Sequence, residues 1–434
     1  MTGAADHTGA ILDFAGADHV LPANIRAGAE RLLADTLAVG AAGAHSAEAA
    51  KLRNVFQREG GAARMLSGGR TAPGEAALFN GFAIHCLEWD AVHEGAVVHA
   101  LSVVTAALLA QSDAQGGSER EAFLTALAIG VDIASGMGLA ATEPMQFFRP
   151  ATAGVIGASL ACARLAELPR DRMGDVLGLA YSFAGGTMQA HVEASLALPL
   201  QIGNAARCAV TAVALAEAGM DGPQDALEGP FGYSKLIEPL DLERYIADIG
   251  SKWRIGEVAV KPFPSGRASH GALGELEKLH RGGWRPGDVE SIELFAPPLI
   301  ERLVARPYKP SMSAAYARLC LGVLAPVMLR DGNIDPALFD GDALYAPELA
   351  ELAPRVAVSC DGNPDGNAMT PQRLVITCKN GEVIERRIDA SLGSPASPMN
   401  DEQSAAKRTL ARRHAGHSDA RIFEAPLSYA TEPQ

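Results

Sequence analysis

The 434-residue chain carries a formal charge of -14 and is 48% apolar but only 5% aromatic. That length and apolar content suit one large core or two moderate ones. The negative charge repels a phosphate backbone, and basic runs do not exceed the pairs at Lys407-Arg408 and Arg412-Arg413, so nucleic acid is excluded as an expected partner.

In chain order, Ile25, Ala29, Leu32, Leu33 and Leu37 recur at helical spacing. Similar amphipathic patterns follow over Glu75–Trp89, Val97–Ala110, Glu119–Ala141, Ala151–Leu168, Asp171–Met188 and Ile202–Ala218, with Gly or Pro between them. A helical bundle is predicted for the first half. Gly130, Gly136, Gly154 and Gly157 inside these helices point to close axis-to-axis packing.

After Trp253 the pattern changes. Val289–Phe295, Arg355–Ser359, Leu374–Thr377 and Val383–Ile388 are short β-branched runs, the last two joined by Lys379-Asn380-Gly381, a hairpin signal. Ser313–Leu329 reads as helix, and Asn400 with Gln403 opens a final helix through Arg413. The predicted fold is mainly α: a large all-helical domain over 1–258, completed by 393–434, and a smaller α+β lid over 259–392.

Six scattered cysteines without a C-x-x-C pair fit a reduced compartment. Asp6, Asp13 and Asp18 stand where a secretory signal would be basic and then apolar. The longest apolar stretch, Val97–Ala110, is shorter than the roughly 20 residues that cross a bilayer. A cytoplasmic protein with no membrane partner is expected.

Two segments carry candidate chemistry. In Ala77–Val104 (ALFNGFAIHCLEWDAVHEGAVVHALSVV), His85, Glu88, Asp90, His93, Glu94 and His99 put six titratable groups into fifteen positions, with His85 and Glu88 at same-face helical spacing. In Lys261–His270 (KPFPSGRASH), Lys261, Arg267 and His270 supply local cations, and Gly266 lets backbone approach a ligand. Arg pairs a carboxylate bidentately, Lys acts as a point charge, and His exchanges protons near neutral pH. Arg149, ahead of a helix, would add a cation to an end that already favours anions. No spacing suggests a metal site.

The segments FNGFAIHCLEWD, KPFPSGRASHGALGEL, RPYKPSMSAAYARLCLGVL and GSPASPMNDEQSAAKRTLA resemble, in order and spacing, signature stretches of the MmgE/PrpD family, from about Asp35 to Arg413. That family includes 2-methylcitrate dehydratase, cis-aconitate decarboxylase and iminodisuccinate epimerase. The resemblance implies a helical domain with an α+β lid, a site between them, a homodimer and no organic cofactor. It implies catalytic roles for Glu88, Asp90, His99, Lys261 and His270; Arg149, Arg267, Ser265 and His93 are expected, from their own chemistry, to bind substrate.

Several positions depart from the family pattern. An expected aspartate is Ala91, a His-Pro pair is His99-Ala100, and a histidine is Arg149. A lysine-bearing stretch reads Ser195-Leu196-Ala197-Leu198-Pro199. The expectation is a lyase that removes a proton beside a carboxylate of a small di- or tricarboxylic acid, by dehydration or decarboxylation. The alternatives are an epimerase of an iminodisuccinate-like acid and a non-catalytic polycarboxylate binder.

Overall fold

A computed structural model describes residues 6–56, 60–340, 344 and 346–433. The first half folds as long helices, principally Ala23–Ala44, Pro73–His85, Ala100–Ala114, Arg120–Ala140, Arg149–Leu165, Arg170–Ser182 and Ala197–Glu217. Their small residues set how closely they pack. A methyl built on Gly203 would lie 2.1 Å from the Leu78 carbonyl, and one on Gly157 would lie 2.3 Å from that of Gly130. Alanine at either position would force two backbones apart.

Arg120–Ala140 and Ala197–Glu217 are each long and apolar enough to cross a membrane, which the sequence reading overlooked by following only uninterrupted apolar runs. Here they are packed within the bundle, with 89% of the most apolar window of Arg120–Ala140 buried in the protein.

The second half builds a four-stranded sheet. Val289–Ala296 lies between Val356–Cys360, its parallel neighbour, and Gln372–Cys378, which is antiparallel. Gln372–Cys378 pairs in turn with Val383–Ile388 through the predicted turn, where Gly381 takes φ +88°. The helices His270–Arg281 and Leu321–Asp331 contribute Leu273, Leu276, Leu324 and Met328 to a core shared with Ile292, Leu294, Leu374 and Ile376. This core is separate from the one that joins the long helices to Leu410, Ala411 and Tyr429 of the C-terminal segment. The final helix, Asp401–His414, starts as predicted, with Asn400 and Gln403 exchanging side-chain and backbone hydrogen bonds.

Three predicted helices are shorter than their apolar pattern, Asp171–Met188 among them, which ends at Ser182. Glu75–Trp89 stops at His85, because Glu88 adopts a left-handed φ of +55°. Ser313–Leu329 divides into Ala314–Ala317 and Leu321–Asp331. At the break, the Arg318 carbonyl accepts from the Gly266 amide at 3.0 Å, and its guanidinium donates to Glu48 at 2.7 Å and to the Cys86 carbonyl at 3.2 Å. Arg318 thus ties the second core to the helix that ends at His85.

Candidate active site

The helix Pro73–His85 ends in a turn whose left-handed residue, Glu88, costs about 1 kcal/mol or more in a non-glycine side chain. Partners from distant parts of the chain hold it there. The buried Lys261 ammonium donates to the Glu88 carbonyl at 3.0 Å and to its carboxylate at 3.1 Å, and lies 3.5 Å from Asp90 Oδ1. The Trp89 indole donates to the Pro262 carbonyl at 3.1 Å. From the C-terminal helix, Lys407 reaches the Trp89 carbonyl at 3.4 Å while paired with Asp35 at 2.6 Å.

The turn delivers Asp90, fully buried, to the centre of a hydrogen-bond hub. Its Oδ2 lies 2.9 Å from His85 Nδ1 and 2.9 Å from His99 Nδ1, and it also accepts from the Ser102 hydroxyl. A carboxylate acceptor fixes a proton on each Nδ1, leaving Nε2 as the nitrogen available for chemistry. His85 Nε2 has no hydrogen-bond partner and sits 3.6 Å from Glu88 Oε1. The expected same-face pair His85 and Glu88 therefore meets across a turn.

The hub pulls its members apart in acidity. Burial pushes the Asp90 carboxyl up, but His85, His99 and Lys261 more than offset it and hold it well below the usual carboxylate range. Glu88 is likewise pushed up by burial yet drawn down to about 2, chiefly by Lys261 and then His85 and His99. Burial lowers both imidazoles. For His85 the carboxylates of Asp90 and Glu88 reverse the effect and raise it, whereas His99 stays lowered, with Lys261 adding to burial against the pull of Asp90. The two imidazoles thus lie on opposite sides of the ordinary histidine value.

The lid loop supplies the opposite wall. Arg267 is nearly buried and donates to Glu94 at 2.7 Å and to the carbonyls of Leu392 at 2.6 Å and Ser391 at 3.3 Å. Behind it, His270 is fully buried, with Nδ1 3.4 Å from Arg267 Nη1 and Nε2 3.1 Å from Ser265 Oγ. Burial, reinforced by Arg267 and Lys261, drives His270 well below its ordinary value, so it stands as a neutral ring bracing the guanidinium.

Between these walls lies a cavity of about 80 Å³, bounded by His85, Glu88 and His99 on the helical side and by Gly266, Arg267 and Leu319 on the lid side. That is room for several water-sized groups and suits a small molecule. Of the residues expected at a site, Glu88, His99 and Arg267 line it, while Asp90 and Lys261 lie one hydrogen bond or ion pair behind Glu88 and His99. The remaining four do not form its wall. Ser265 and His270 sit behind Arg267, and His93 is bound to Glu257 at 3.1 Å and to the Ala96 amide at 3.1 Å.

Arg149 is directed elsewhere. Its buried guanidinium grips Glu238 through Nε at 3.0 and 2.9 Å and donates to the Ala96 carbonyl at 2.9 Å. Arg149, expected as a substrate cation, stands in the structure in a buried ion pair with Glu238, outside the cavity wall.

Three contributors were missed. His85 belonged to the noticed cluster but was given no role. His191 lines the cavity, its pKa lowered to about 4 by burial and Arg306. Arg306 donates to the His191 carbonyl and keeps a buried Nη1 without a partner. Only the RPYKP segment hinted at Arg306. Much of the remaining wall is apolar, and Leu198, from the stretch where a lysine was expected, belongs to it.

His85, Asp90 and His99 also offer a possible metal donor set, with one ligand atom from each within 4.8 Å of the others. Asp90 Oδ2, however, already accepts from two imidazoles and a hydroxyl, and the Lys261 ammonium lies beside Oδ1. Hydrogen bonding accounts for this arrangement without a cation.

A helical bundle and an α+β lid meet at a cavity beside a two-imidazole carboxylate hub. The chain belongs to the MmgE/PrpD family: residues 17–242 match the MmgE/PrpD N-terminal domain and residues 263–426 the C-terminal domain. It is 26% identical over 429 residues to a cis-aconitate decarboxylase-like protein of Aspergillus oryzae, covering 90% of this chain and 87% of that one. It is 26% identical over 352 residues to the cis-aconitate decarboxylase of Homo sapiens, covering 77% and 71%. Against that of Aspergillus terreus, identity is 25% over 422 residues, covering 90% and 86%.

Proposed function

We propose that this protein is a lyase that removes a proton beside a carboxylate of a small di- or tricarboxylic acid. The observation that carries this reading is the shared Asp90 oxygen, which leaves two imidazoles of different acidity with Nε2 available at one cavity. His99, held neutral near pH 7 by its lowered pKa, is the base; His85, whose pKa is raised, is the acid. Arg267, which lines the cavity, counters the charge developing on the substrate. In a dehydration, the C–H electron pair becomes the new C=C bond, the proton goes to His99 Nε2, and the C–O bond breaks as His85 protonates the departing hydroxide. In a decarboxylation, the C–C bond to the carboxylate breaks, carbon dioxide leaves, and the carbon takes a proton from the same pair.

Two imidazoles on one hub also support an epimerase, one ring removing the proton and the other returning it. Incubation with 2-methylcitrate, cis-aconitate and iminodisuccinate in deuterated water, followed by NMR, separates the readings. An unsaturated or decarboxylated product supports the lyase; deuterium uptake with inversion supports the epimerase. Saturable binding without turnover or exchange marks a non-catalytic binder and refutes both.

The same reading carries a cytoplasmic location, supported by six unpaired cysteines, and a homodimer. Exposed Val192, Phe231 and Leu236 offer an apolar surface for a second copy. Phe231→Asp with Leu236→Asp should halve the mass measured by light scattering, and an unchanged dimer or a monomeric parent would refute that surface.

A further inference from the structure

We propose that Glu94 stands in for a substrate carboxylate: it caps the Arg267 guanidinium, and an incoming acid takes its place while the Glu94 side chain turns out into an adjoining groove. This exchange rests on the reading of the cavity as an acid-binding site and explains how its guanidinium becomes available.

The two partners are held very differently. Arg267, 5% exposed, is fastened to the lid by contacts that do not involve Glu94. Its Nη1 donates to the Leu392 carbonyl at 2.6 Å and lies 3.4 Å from His270 Nδ1, and its Nη2 donates to the Ser391 carbonyl at 3.3 Å. Departure of Glu94 would therefore free Nε and leave the guanidinium in place. The Glu94 side chain is 22% exposed and takes one hydrogen bond, from Arg267 Nε at 2.7 Å, with no second partner among the described residues. Glu88, also in the cavity wall, is bound more firmly, because the Lys261 ammonium grips its carboxylate and its carbonyl together.

Glu94 also has somewhere to go. It lines both the inner cavity and an open groove of about 460 Å³, which it shares with Met369, Ser391 and Ser394. The backbone beneath it is pinned, since His93 and Val98 exchange hydrogen bonds at 2.9 and 3.3 Å and the Val97 amide donates to the Glu94 carbonyl at 3.1 Å. Only the side chain has to move. An acid that replaces Glu94 restores the charge and hydrogen bond to Arg267 in kind, while the Glu94 carboxylate regains water. An acid that left Glu94 in place would meet a guanidinium already neutralised, beside a second carboxylate. Affinity is then reduced by the fraction of molecules in which Glu94 has turned out.

Calorimetric titration of the full-length protein with succinate measures this competition. Glu94→Gln keeps the size of the side chain and removes its charge, so succinate should bind about tenfold more tightly than to the parent. Succinate should also raise the melting temperature of the variant more than that of the parent. A merely structural Glu94 predicts lower stability with affinity unchanged or weaker, and that result would overturn the exchange. Should Glu94→Gln fail to fold, Glu94→Ala carries the same expectation.

Two controls separate exchange from general repulsion. Asp389→Asn removes an equal charge from the same groove and should change affinity less than about twofold. Adding Arg267→Met to Glu94→Gln should cancel the gain. An equal gain in Asp389→Asn, or a gain that survives Arg267→Met, would refute the competition for Arg267. Turnover and deuterium exchange of 2-methylcitrate, cis-aconitate and iminodisuccinate are read on the same preparations. Tighter succinate binding with none of these acids converted or exchanged would sustain the role of Glu94 and refute proton abstraction. Succinate bound by neither parent nor variants would overturn the exchange and the acid-binding reading together.

Discussion

The rings of His85 and His99 meet edge to face with centroids 4.7 Å apart, each directing Nδ1 at the same oxygen of Asp90. One carboxylate oxygen thus orients two potential proton carriers from opposite sides of a single turn. A third donor, Ser102, locks that oxygen in place.

Replacing Asp90 with Asn tests this arrangement. The amide oxygen accepts without charge and the NH2 group can turn the wrong edge toward a ring, so the tautomer is no longer fixed. In substrate turnover, kcat should fall by about 10³-fold or more, in line with losses when a histidine's orienting carboxylate is neutralised. KM should change far less. Turnover within threefold of the parent would remove Asp90 from the mechanism.

The two histidines also set a pH window. His99 is lowered below 6.5, so its basic form is present above that value and is lost as pH falls through its depressed constant. His85 is raised above 6.5, so its acidic form is present below that value and is lost as pH climbs through its elevated constant. The kcat profile should therefore be a bell with its plateau around neutrality. His85→Gln should remove the alkaline limb and leave the acid one. A single acid limb in the parent would show that His85 donates no proton.

Stability should follow a second group. Glu88 falls from 4.5 to about 2 on folding, so its stabilisation is complete above pH 4.5 and is lost as pH drops towards 2. Removing its ammonium has a related effect. Lys261→Met removes the one ammonium that serves both Glu88 and Asp90, leaving the two buried carboxylates only the imidazoles and Ser102, and should cost about 3 kcal/mol. Adding Glu88→Gln to Lys261→Met should recover part of that loss and weaken the pH dependence between 4.5 and 2. Denaturant titration at pH 7 and pH 4 measures both effects, and equal stability of parent and Lys261→Met would disprove the pairing.

Arg149 offers a contrast between structure and binding. Breaking its buried bond to Glu238 by Arg149→Met should lower stability by about 3–5 kcal/mol while KM for a turned-over acid stays within about twofold. A tenfold higher KM at unchanged melting temperature would instead restore Arg149 to the substrate.

Much of this fold is written locally. Apolar spacing marked the bundle helices, β-branched runs marked the four strands, and Asn400 with Gln403 marked the start of the last helix. Such features depend on neighbours a few residues apart, and periodicity reports which face is buried without naming what covers it. The crowding of His85, Glu88, Asp90 and His99 was equally visible, because one turn and one helix start hold all four.

What the linear order left open was the choice of partner. Arg149 had the credentials of an anion-binding residue until the fold placed Glu238 against it, 89 positions away. Nothing in the sequence showed that His270 would be enclosed by Arg267 and Ser265. Lys407, 318 positions from Trp89, stood out only as half of a short basic pair, yet it braces the turn that aims Asp90. A side chain's protonation and reach depend on charges and acceptors within a few ångströms, and only the tertiary structure determines which distant residues stand that close.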